Sequence, residues 1–273
     1  MDLLQAVFLG LIQGLTEFLP ISSSAHLRII PELLGWEDPG AAFTAVIQIG
    51  TELAVVIYFR ADIWRIASAW LRSLVKPELR GKRDALMGWY IIMGSLPVVV
   101  VGIALKDVIE TDFRNLWIIG CTLIGLGVVL GVAERVGSKS RPISQLGWRS
   151  AVLMGLAQAL SVIPGVSRSG ATISMGLFLG YEREAATRFA FLLAIPAVVG
   201  AGLFELPTAL SDDNAYSGLE TLAATVISFI VGYATIAWLL RYVSTRSYAP
   251  FVIYRIVLGA GVLALLSAGV LTA

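Results

Sequence analysis

The chain has 273 residues, of which 57% are hydrophobic and 14% charged, and its formal net charge at pH 7 is +1. Its mean hydropathy of +0.83 is too high for a soluble domain, and apolar runs long enough to cross a bilayer recur along it. The near-zero net charge argues against nucleic acid as a partner. The composition therefore predicts an integral membrane protein that crosses the bilayer several times.

Ten apolar segments follow one another along the chain. Six are long enough to span a membrane with some tilt, at about 41 to 59, 86 to 105, 115 to 134, 185 to 205, 219 to 240 and 250 to 271. Four are too short, at about 3 to 19, 23 to 35, 149 to 163 and 169 to 180. Each neighbouring pair of short segments is joined through a stretch rich in Pro and Ser, which predicts a re-entrant hairpin of half-helices. The predicted fold is all-α and polytopic, with six transmembrane helices plus two re-entrant helical hairpins.

The short segments belong to an internal repeat. Residues 6–15 recur at an offset of 145 as residues 151–160, and both copies then run into polar residues around a proline. Paired breaks of this kind are typical of membrane proteins in which broken helices build a central site. We predict a single integral membrane domain, residues 1–273, with repeats of about 1–135 and 146–273 whose breaks line one cavity.

Loop charge predicts the orientation of the repeats. Basic residues dominate the loops after the first, third and fifth spans, which we place inside: Arg60, Arg65, Arg72, Lys76, Arg80, Lys82, Arg83, Arg135, Lys139, Arg141, Arg149, Arg241 and Arg246. Acidic residues mark the loops after the second and fourth spans, which we place outside: Asp107, Glu110, Asp112, Glu205, Asp212, Asp213 and Glu220. The first hairpin then enters from the outer face and the second from the cytoplasmic face. The repeat is therefore predicted to have inverted topology.

Five polar residues lie within apolar segments, where they are costly unless they face water, a cation or a partner. Gln13 and Glu17 are four apart and share one helical face, as do Gln48 and Glu52. Glu17 either caps the neighbouring broken helix or faces the cavity, and we favour the cavity. Arg255, in the last span, is a counter-ion for Glu52, a second anion contact, or a side chain that snorkels to the inner interface.

The first break carries a cluster of reactive groups. Ser22, Ser23 and Ser24 follow Pro20, and a helix N-cap needs only one of them. His26, the only histidine of the chain, lies three residues after Ser23. The imidazole and this hydroxyl are therefore predicted to share a helical face. His26 alone is typical of a packing residue, but together with Ser23 and Glu17 it forms a candidate set of base, nucleophile and carboxylate.

The second break combines a guanidinium with hydroxyls and glycines, in the stretch 164–172. An arginine fork matches phosphate oxygens, glycines let backbone amides approach a ligand, and the following half-helix directs its positive end towards an anion. This predicts an oxyanion site centred on Arg168. The alternative is an ion pair between Arg168 and Glu17, and both can hold in turn if the substrate replaces the internal pair.

These two stretches, residues 14–26 and 164–172, resemble the undecaprenyl-diphosphate phosphatases of the bacitracin-resistance type. The resemblance extends over the chain and includes residues 47–50 and 250–255. It implies a multi-pass enzyme of the bacterial cytoplasmic (inner) membrane that hydrolyses undecaprenyl diphosphate to undecaprenyl phosphate and inorganic phosphate. This reaction recycles the lipid carrier for cell-wall (peptidoglycan) synthesis. The resemblance also implies an active site open to the outer face and a divalent cation, Mg²⁺ or Ca²⁺.

The resemblance assigns roles to individual residues. Those expected to be catalytic are Glu17, Ser23, His26 and Arg168. Those expected to bind the substrate phosphates are Ser22, Ser167, Arg168, Ser169, Gly170 and Thr172. Gln13 departs from the family, which often has a glutamate there, and an amide binds cations more weakly. We hypothesise that Glu52 supplies the missing charge, so the expected metal ligands are Glu17, Gln13 and Glu52.

The reaction implied by the resemblance is in-line phosphoryl transfer, in which catalysis is mostly positioning and charge stabilisation. Three routes stay open: Ser23 attacks with His26 as base, His26 attacks, or His26 activates water. The alternative function is a polyprenyl-phosphate transporter or flippase, because inverted repeats with broken helices also serve alternating access. The expected partners are the polyprenyl diphosphate lipid and the bilayer, and a homodimer is compatible with the sequence.

Overall fold

A computed structural model describes residues 2–104, 115–209 and 218–272. These residues form eleven α-helices and no β-strand. In chain order the helices are α1 Leu3–Thr16, α2 Ser23–Leu34, α3 Gly40–Tyr58, α4 Arg60–Val75, α5 Arg83–Ala104, α6 Leu116–Val136, α7 Trp148–Ala159, α8 Arg168–Phe178, α9 Arg183–Ala209, α10 Gly218–Val243 and α11 Ala249–Ser267. The predicted all-α class is confirmed. The predicted outer-loop residues Asp107, Glu110, Asp112, Asp212 and Asp213 lie outside the described residues.

Each of the six long apolar stretches forms a helix within a few residues of its predicted bounds. Four of these helices, α5, α6, α10 and α11, are long and apolar enough to cross a membrane. α3 and α4 join at a bend of 74°, and they add a fifth candidate span if the bent pair is counted as one broken span. The part of the chain that the structure describes is thus a multi-pass helical membrane protein with four or five candidate spans.

Both predicted breaks are present between short helices. α1 ends at Thr16 and α2 begins at Ser23, and α7 ends at Ala159 and α8 begins at Arg168. The N-cap residues of α2 and α8, Ser22 and Ser167, both have positive φ, at 72° and 69°. Each cap hydroxyl accepts a hydrogen bond from the backbone amide three residues later, which satisfies one free N–H of the new helix. The two breaks therefore turn the chain in the same way.

The helices before the breaks pack closely against long helices. α1 packs against α10, and α7 packs against α5. Gly10 of α1 faces the backbone of Ala224, and Gly155 of α7 faces the backbone of Gly94, so closely that a Cβ on either glycine would overlap it. Small residues that let two backbones approach are typical of helix contacts in membranes. Since Gly10 and Gly155 are 145 residues apart, this contact occurs at equivalent positions of the repeat.

Candidate active site

An ionic cluster joins the two breaks. The Arg168 guanidinium donates through Nη2 to Glu17 Oε1 at 2.5 Å and to Glu52 Oε1 at 2.6 Å. The side chains are 14% exposed for Arg168, 4% for Glu17 and 3% for Glu52. Buried charges of this kind are costly unless they are paired and hydrogen-bonded. Arg168 therefore compensates both carboxylates, and the ion pair with Glu17 considered from the sequence is present.

Glu17 also receives hydrogen bonds from uncharged side chains. Ser23 Oγ donates to Glu17 Oε2 at 2.5 Å, and Gln13 Nε2 donates to the same oxygen at 2.9 Å. Gln48 Nε2 donates to Glu17 Oε1 at 3.3 Å, and Gln13 Nε2 also lies 3.4 Å from Thr51 Oγ1. Glu17 is thus the centre of the cluster, and the Ser23 hydroxyl points at a carboxylate that can take its proton.

His26 lies next to this cluster but bonds elsewhere. Its Nδ1 is 2.7 Å from the carbonyl oxygen of Ser22, and its Nε2 is 2.7 Å from the hydroxyl of Tyr254 on α11. Both His26 nitrogens are therefore engaged, and Ser23 donates to Glu17 instead. The structure shows no hydrogen bond between Ser23 and His26, so their expected joint role as nucleophile and base stays a prediction. Sequence reasoning missed Tyr254, whose one signal was its place beside Arg255 in the stretch 250–255.

The hydroxyls predicted to bind phosphate mostly hold the backbone. Ser22 and Ser167 cap α2 and α8. Thr172 is fully buried and donates to the carbonyl oxygen of Arg168 at 2.9 Å. Ser169 donates to the carbonyl oxygen of Leu19 at 3.2 Å, which links the second break to the first. Of these hydroxyls Ser169 lies in the wall of a small cavity, whose lining is Glu17, Phe18, Val55, Arg168, Ser169, Ala190, Phe191 and Ala194.

Arg255 braces both breaks and is fully buried. Its Nη1 donates to the carbonyl oxygen of Pro20 at 3.1 Å, and its Nη2 donates to the carbonyl oxygen of Gly165 at 2.7 Å. It also donates to three further carbonyls, those of Leu123, Thr122 and Val166. Arg255 is therefore neither a counter-ion of Glu52, which pairs with Arg168, nor a snorkelling side chain. Non-helical backbone leaves carbonyls without N–H partners, and Arg255 supplies the donors.

Three polar atoms of the cluster are buried without a partner: Gln13 Oε1, Glu52 Oε2 and Arg168 Nη1. Two are oxygens, which suit hard cations, and the third is a donor that suits a phosphate oxygen. Among the described residues no group of three or more His, Cys, Asp and Glu side chains forms a metal site. Mg²⁺, however, is often held by one or two carboxylates together with substrate phosphates. The pair Glu17 and Glu52 fits that pattern.

The fold and this buried cluster define an integral membrane protein with a polar site built at two helix breaks. The chain belongs to the family described as bacitracin resistance protein BacA, whose model matches residues 6–261. It is 70% identical over 272 residues to the undecaprenyl-diphosphatase of a Nocardioides species, which covers 100% of this chain and 99% of that protein. It is 56% identical to undecaprenyl-diphosphatase 2 of Agrobacterium fabrum, covering 100% and 99%. For the undecaprenyl-diphosphatase of Micrococcus luteus the identity is 55%, covering 100% of both chains.

Proposed function

We propose that this protein is an undecaprenyl-diphosphate phosphatase, which releases inorganic phosphate from the lipid diphosphate and so recycles the lipid carrier for cell-wall synthesis. Its relatives carry that name over their full length. The observation that carries the mechanism is one continuous hydrogen-bonded set, in which the Ser23 hydroxyl donates to Glu17 and Arg168 donates to the same carboxylate. A nucleophile, a proton acceptor and an anion ligand are thus assembled at the two breaks.

In the first step the Ser23 oxygen attacks the terminal phosphorus of the diphosphate. An Oγ–P bond forms, the anhydride P–O bond breaks, and polyprenyl phosphate leaves with the electron pair. The Ser23 proton passes to Glu17, whose Oε2 is 2.5 Å away. Water then attacks the phosphorus of the phosphoserine, and the Oγ–P bond breaks. Glu17 returns its proton to the Ser23 oxygen, and inorganic phosphate leaves with both protons of the water as H₂PO₄⁻. This route keeps Ser23 as the nucleophile, as in the first route considered from the sequence, but Glu17 replaces His26 as the base, because the Ser23 hydroxyl donates to Glu17.

Arg168 holds the phosphates during this exchange. Its Nη1 is buried without a partner, while Nη2 serves both carboxylates. An incoming diphosphate accepts a hydrogen bond from Nη1 and competes with the two carboxylates for Nη2. The substrate thereby replaces part of the internal ion pair. The charge that develops on the phosphoryl oxygens is then stabilised by the guanidinium and by the N-terminal end of α8. Ser169 and Gly170, in the first turn of that helix, are further candidates for this role.

A divalent cation, Mg²⁺ or Ca²⁺, is the proposed cofactor. Glu17 and Glu52 would hold it together with substrate phosphate oxygens, and Gln13 would add a neutral oxygen, Oε1, which has no partner in the structure. When bound, such an ion neutralises charge on the diphosphate. The presence of a second carboxylate at position 52 supports this role, since position 13 carries an amide.

The proposed membrane arrangement has six spans and two re-entrant hairpins in inverted repeats, with the site open to the outer face of the bacterial cytoplasmic membrane. Two observations support it. The caps Ser22 and Ser167, like the close contacts of Gly10 and Gly155, recur at the repeat offset of 145. The amphipathic helix α4, which leaves α3 at a bend, carries basic residues typical of the cytoplasmic interface.

The experiment is phosphate release from undecaprenyl diphosphate by the detergent-solubilised protein. We expect Ser23→Ala to abolish release and Arg168→Ala to lower kcat by about 10²–10³-fold, as loss of a charge-stabilising donor does. Ser68→Ala, which removes an exposed serine hydroxyl on α4, is the control and should match the wild type. Trapping the phosphoenzyme and locating the phosphate by mass spectrometry should place it on Ser23.

The same assay separates a phosphatase from a transporter. Detergent-solubilised protein has no membrane sides, so transport cannot produce free phosphate. A wild type that binds the lipid and releases no phosphate would contradict the proposed function and favour a polyprenyl-phosphate transporter. A phosphoenzyme modified on His26 would contradict the Ser23 mechanism while leaving the phosphatase activity in place.

A further inference from the structure

Tyr254 connects the exposed surface of α11 to the first break. The residue is 44% exposed, yet its hydroxyl reaches inward to lie 2.7 Å from Nε2 of the buried His26. The two rings are parallel within 4°, with centroids 5.6 Å apart. On the other side of the imidazole, Nδ1 lies 2.7 Å from the carbonyl oxygen of Ser22. Tyr254, His26 and Ser22 therefore form one hydrogen-bonded chain.

The direction of each bond in this chain follows from the atoms. A carbonyl oxygen can only accept, so Nδ1 of His26 carries the hydrogen and donates to Ser22. In the part of the chain that the structure describes, neither His26 nitrogen contacts a carboxylate that would balance an imidazolium, and a buried unpaired charge is costly. The ring is therefore neutral, and Nε2 is an acceptor. The Tyr254 hydroxyl donates to it.

This assignment leaves His26 without a free lone pair. A base or nucleophile needs one, and the only ring lone pair of neutral His26 faces Tyr254 rather than Ser23. At the other end of this hydrogen-bonded series lies Ser22, which adopts φ 72° and ψ 98°. This backbone conformation is unfavourable for a residue with a Cβ. His26 holds the carbonyl of that residue, and Ser23 is the next residue along.

We propose that His26 and Tyr254 are positioning residues, which hold the Ser22–Ser23 peptide so that the Ser23 hydroxyl points at Glu17. Tyr254 fixes the imidazole in its Nδ1-protonated tautomer, and the imidazole fixes the strained turn. This inference rests on the proposed phosphatase function, and it assigns His26 a role different from that of base or nucleophile. The reacting groups are then Ser23, Glu17 and Arg168.

Replacing His26 by asparagine tests the proposal. The asparagine amide can place an N–H near the position of Nδ1 and donate to the Ser22 carbonyl, but it cannot act as a base. We expect His26→Ala to lower kcat by about 10²-fold and His26→Asn to recover to within about tenfold of the wild type, since groups that orient a functional residue are worth about 10–100-fold. A catalytic base would be lost equally in both variants. KM should stay within about twofold of the wild-type value, because the side chains of Tyr254 and His26 do not contact the phosphates.

Tyr254→Phe is the second variant, and its readout is spectroscopic. Because His26 is the only histidine, ¹⁵N labelling of histidine gives a single imidazole by NMR. We expect a protonated Nδ1 and an unprotonated Nε2 in the wild type, and in Tyr254→Phe a shift of Nε2 towards that of a free imidazole nitrogen, with kcat lowered roughly tenfold. Tyr233→Phe, which removes the hydroxyl of another exposed tyrosine on a long apolar helix, is the control. Size-exclusion profiles and melting temperatures establish that each variant is folded.

The outcomes separate this inference from the proposed function. A wild type that releases no phosphate would overturn the function, whereas the NMR spectrum would still report the tautomer. A wild type that releases phosphate, together with a His26→Asn variant as inactive as His26→Ala, would overturn only this inference. An unprotonated Nδ1, or an Nε2 signal that is the same in Tyr254→Phe and the wild type, would overturn it as well.

Discussion

The first and second breaks share a backbone and differ in their side chains. Ser22 and Ser167 cap the following helices with nearly equal positive φ angles. In both breaks the cap hydroxyl is also hydrogen-bonded to a second serine, Ser24 at 3.1 Å in the first and Ser169 at 3.2 Å in the second. Between cap and second serine, however, the first break has Ser23 and the second has Arg168. A hydroxyl in one break thus corresponds to a cation in the other.

This difference shows how a duplicated turn supports a single reaction. The backbone of each break presents one side chain to the space between them, and the two presented groups have complementary chemistry. Glu17 receives both, since Ser23 and Arg168 donate to its two oxygens. The corresponding position in the second half is Val162, which cannot accept a hydrogen bond. The site is therefore asymmetric although the turns that build it are alike.

The largest expected effect comes from Arg255, which serves both breaks at once. Arg255→Lys keeps the charge but cannot reach the five carbonyls that the guanidinium now reaches. Losing at least two charge-assisted hydrogen bonds should cost about 3 kcal/mol or more, and lower Tm by roughly 10 °C. Thermal unfolding in detergent measures the shift in Tm, with Arg246→Lys, at an exposed position, as the control. Equal melting temperatures for the two variants would show that the hydrogen bonds of Arg255 do not stabilise the breaks.

A smaller loss is expected from Glu52 of α3, which contacts Arg168 of the second break. Glu52→Gln removes one carboxylate that Arg168 contacts and one proposed cation ligand, so we expect Mg²⁺-dependent phosphate release to fall by about 10²-fold. The double variant Gln13→Glu with Glu52→Gln transfers the second carboxylate from position 52 to position 13, which also contacts Glu17. It should restore much of the activity. Glu37→Gln, at an exposed position, is the control. Full activity with unchanged Mg²⁺ affinity in Glu52→Gln would contradict the cation role.

The sequence predicted both breaks and placed Glu17 and Arg168 together, because proline, serine and charge within apolar segments are local signals. It did not predict the partners of His26. The three-residue spacing from Ser23 allowed a shared helical face, but the second partner, Tyr254, lies 228 residues away. The carbonyl partners of Arg255 were missed for a related reason. Three of them, at Pro20, Gly165 and Val166, lie in the breaks, and the other two lie in α6. A carbonyl is present at every residue, so no side-chain pattern marks the ones that receive a donor.

The smallest effect concerns the repeat-equivalent pair Gln13 and Gln158, which are both fully buried. Gln13 donates to Glu17, whereas neither amide atom of Gln158 has a partner among the described residues. Gln158→Leu should therefore raise stability by about 1 kcal/mol, or roughly 2–4 °C in Tm. Gln13→Leu should lower it, and should also lower phosphate release, because Glu17 loses a donor. Melting temperatures that shift in the same direction in both variants would mean that the two halves differ less at these positions than their hydrogen bonds indicate.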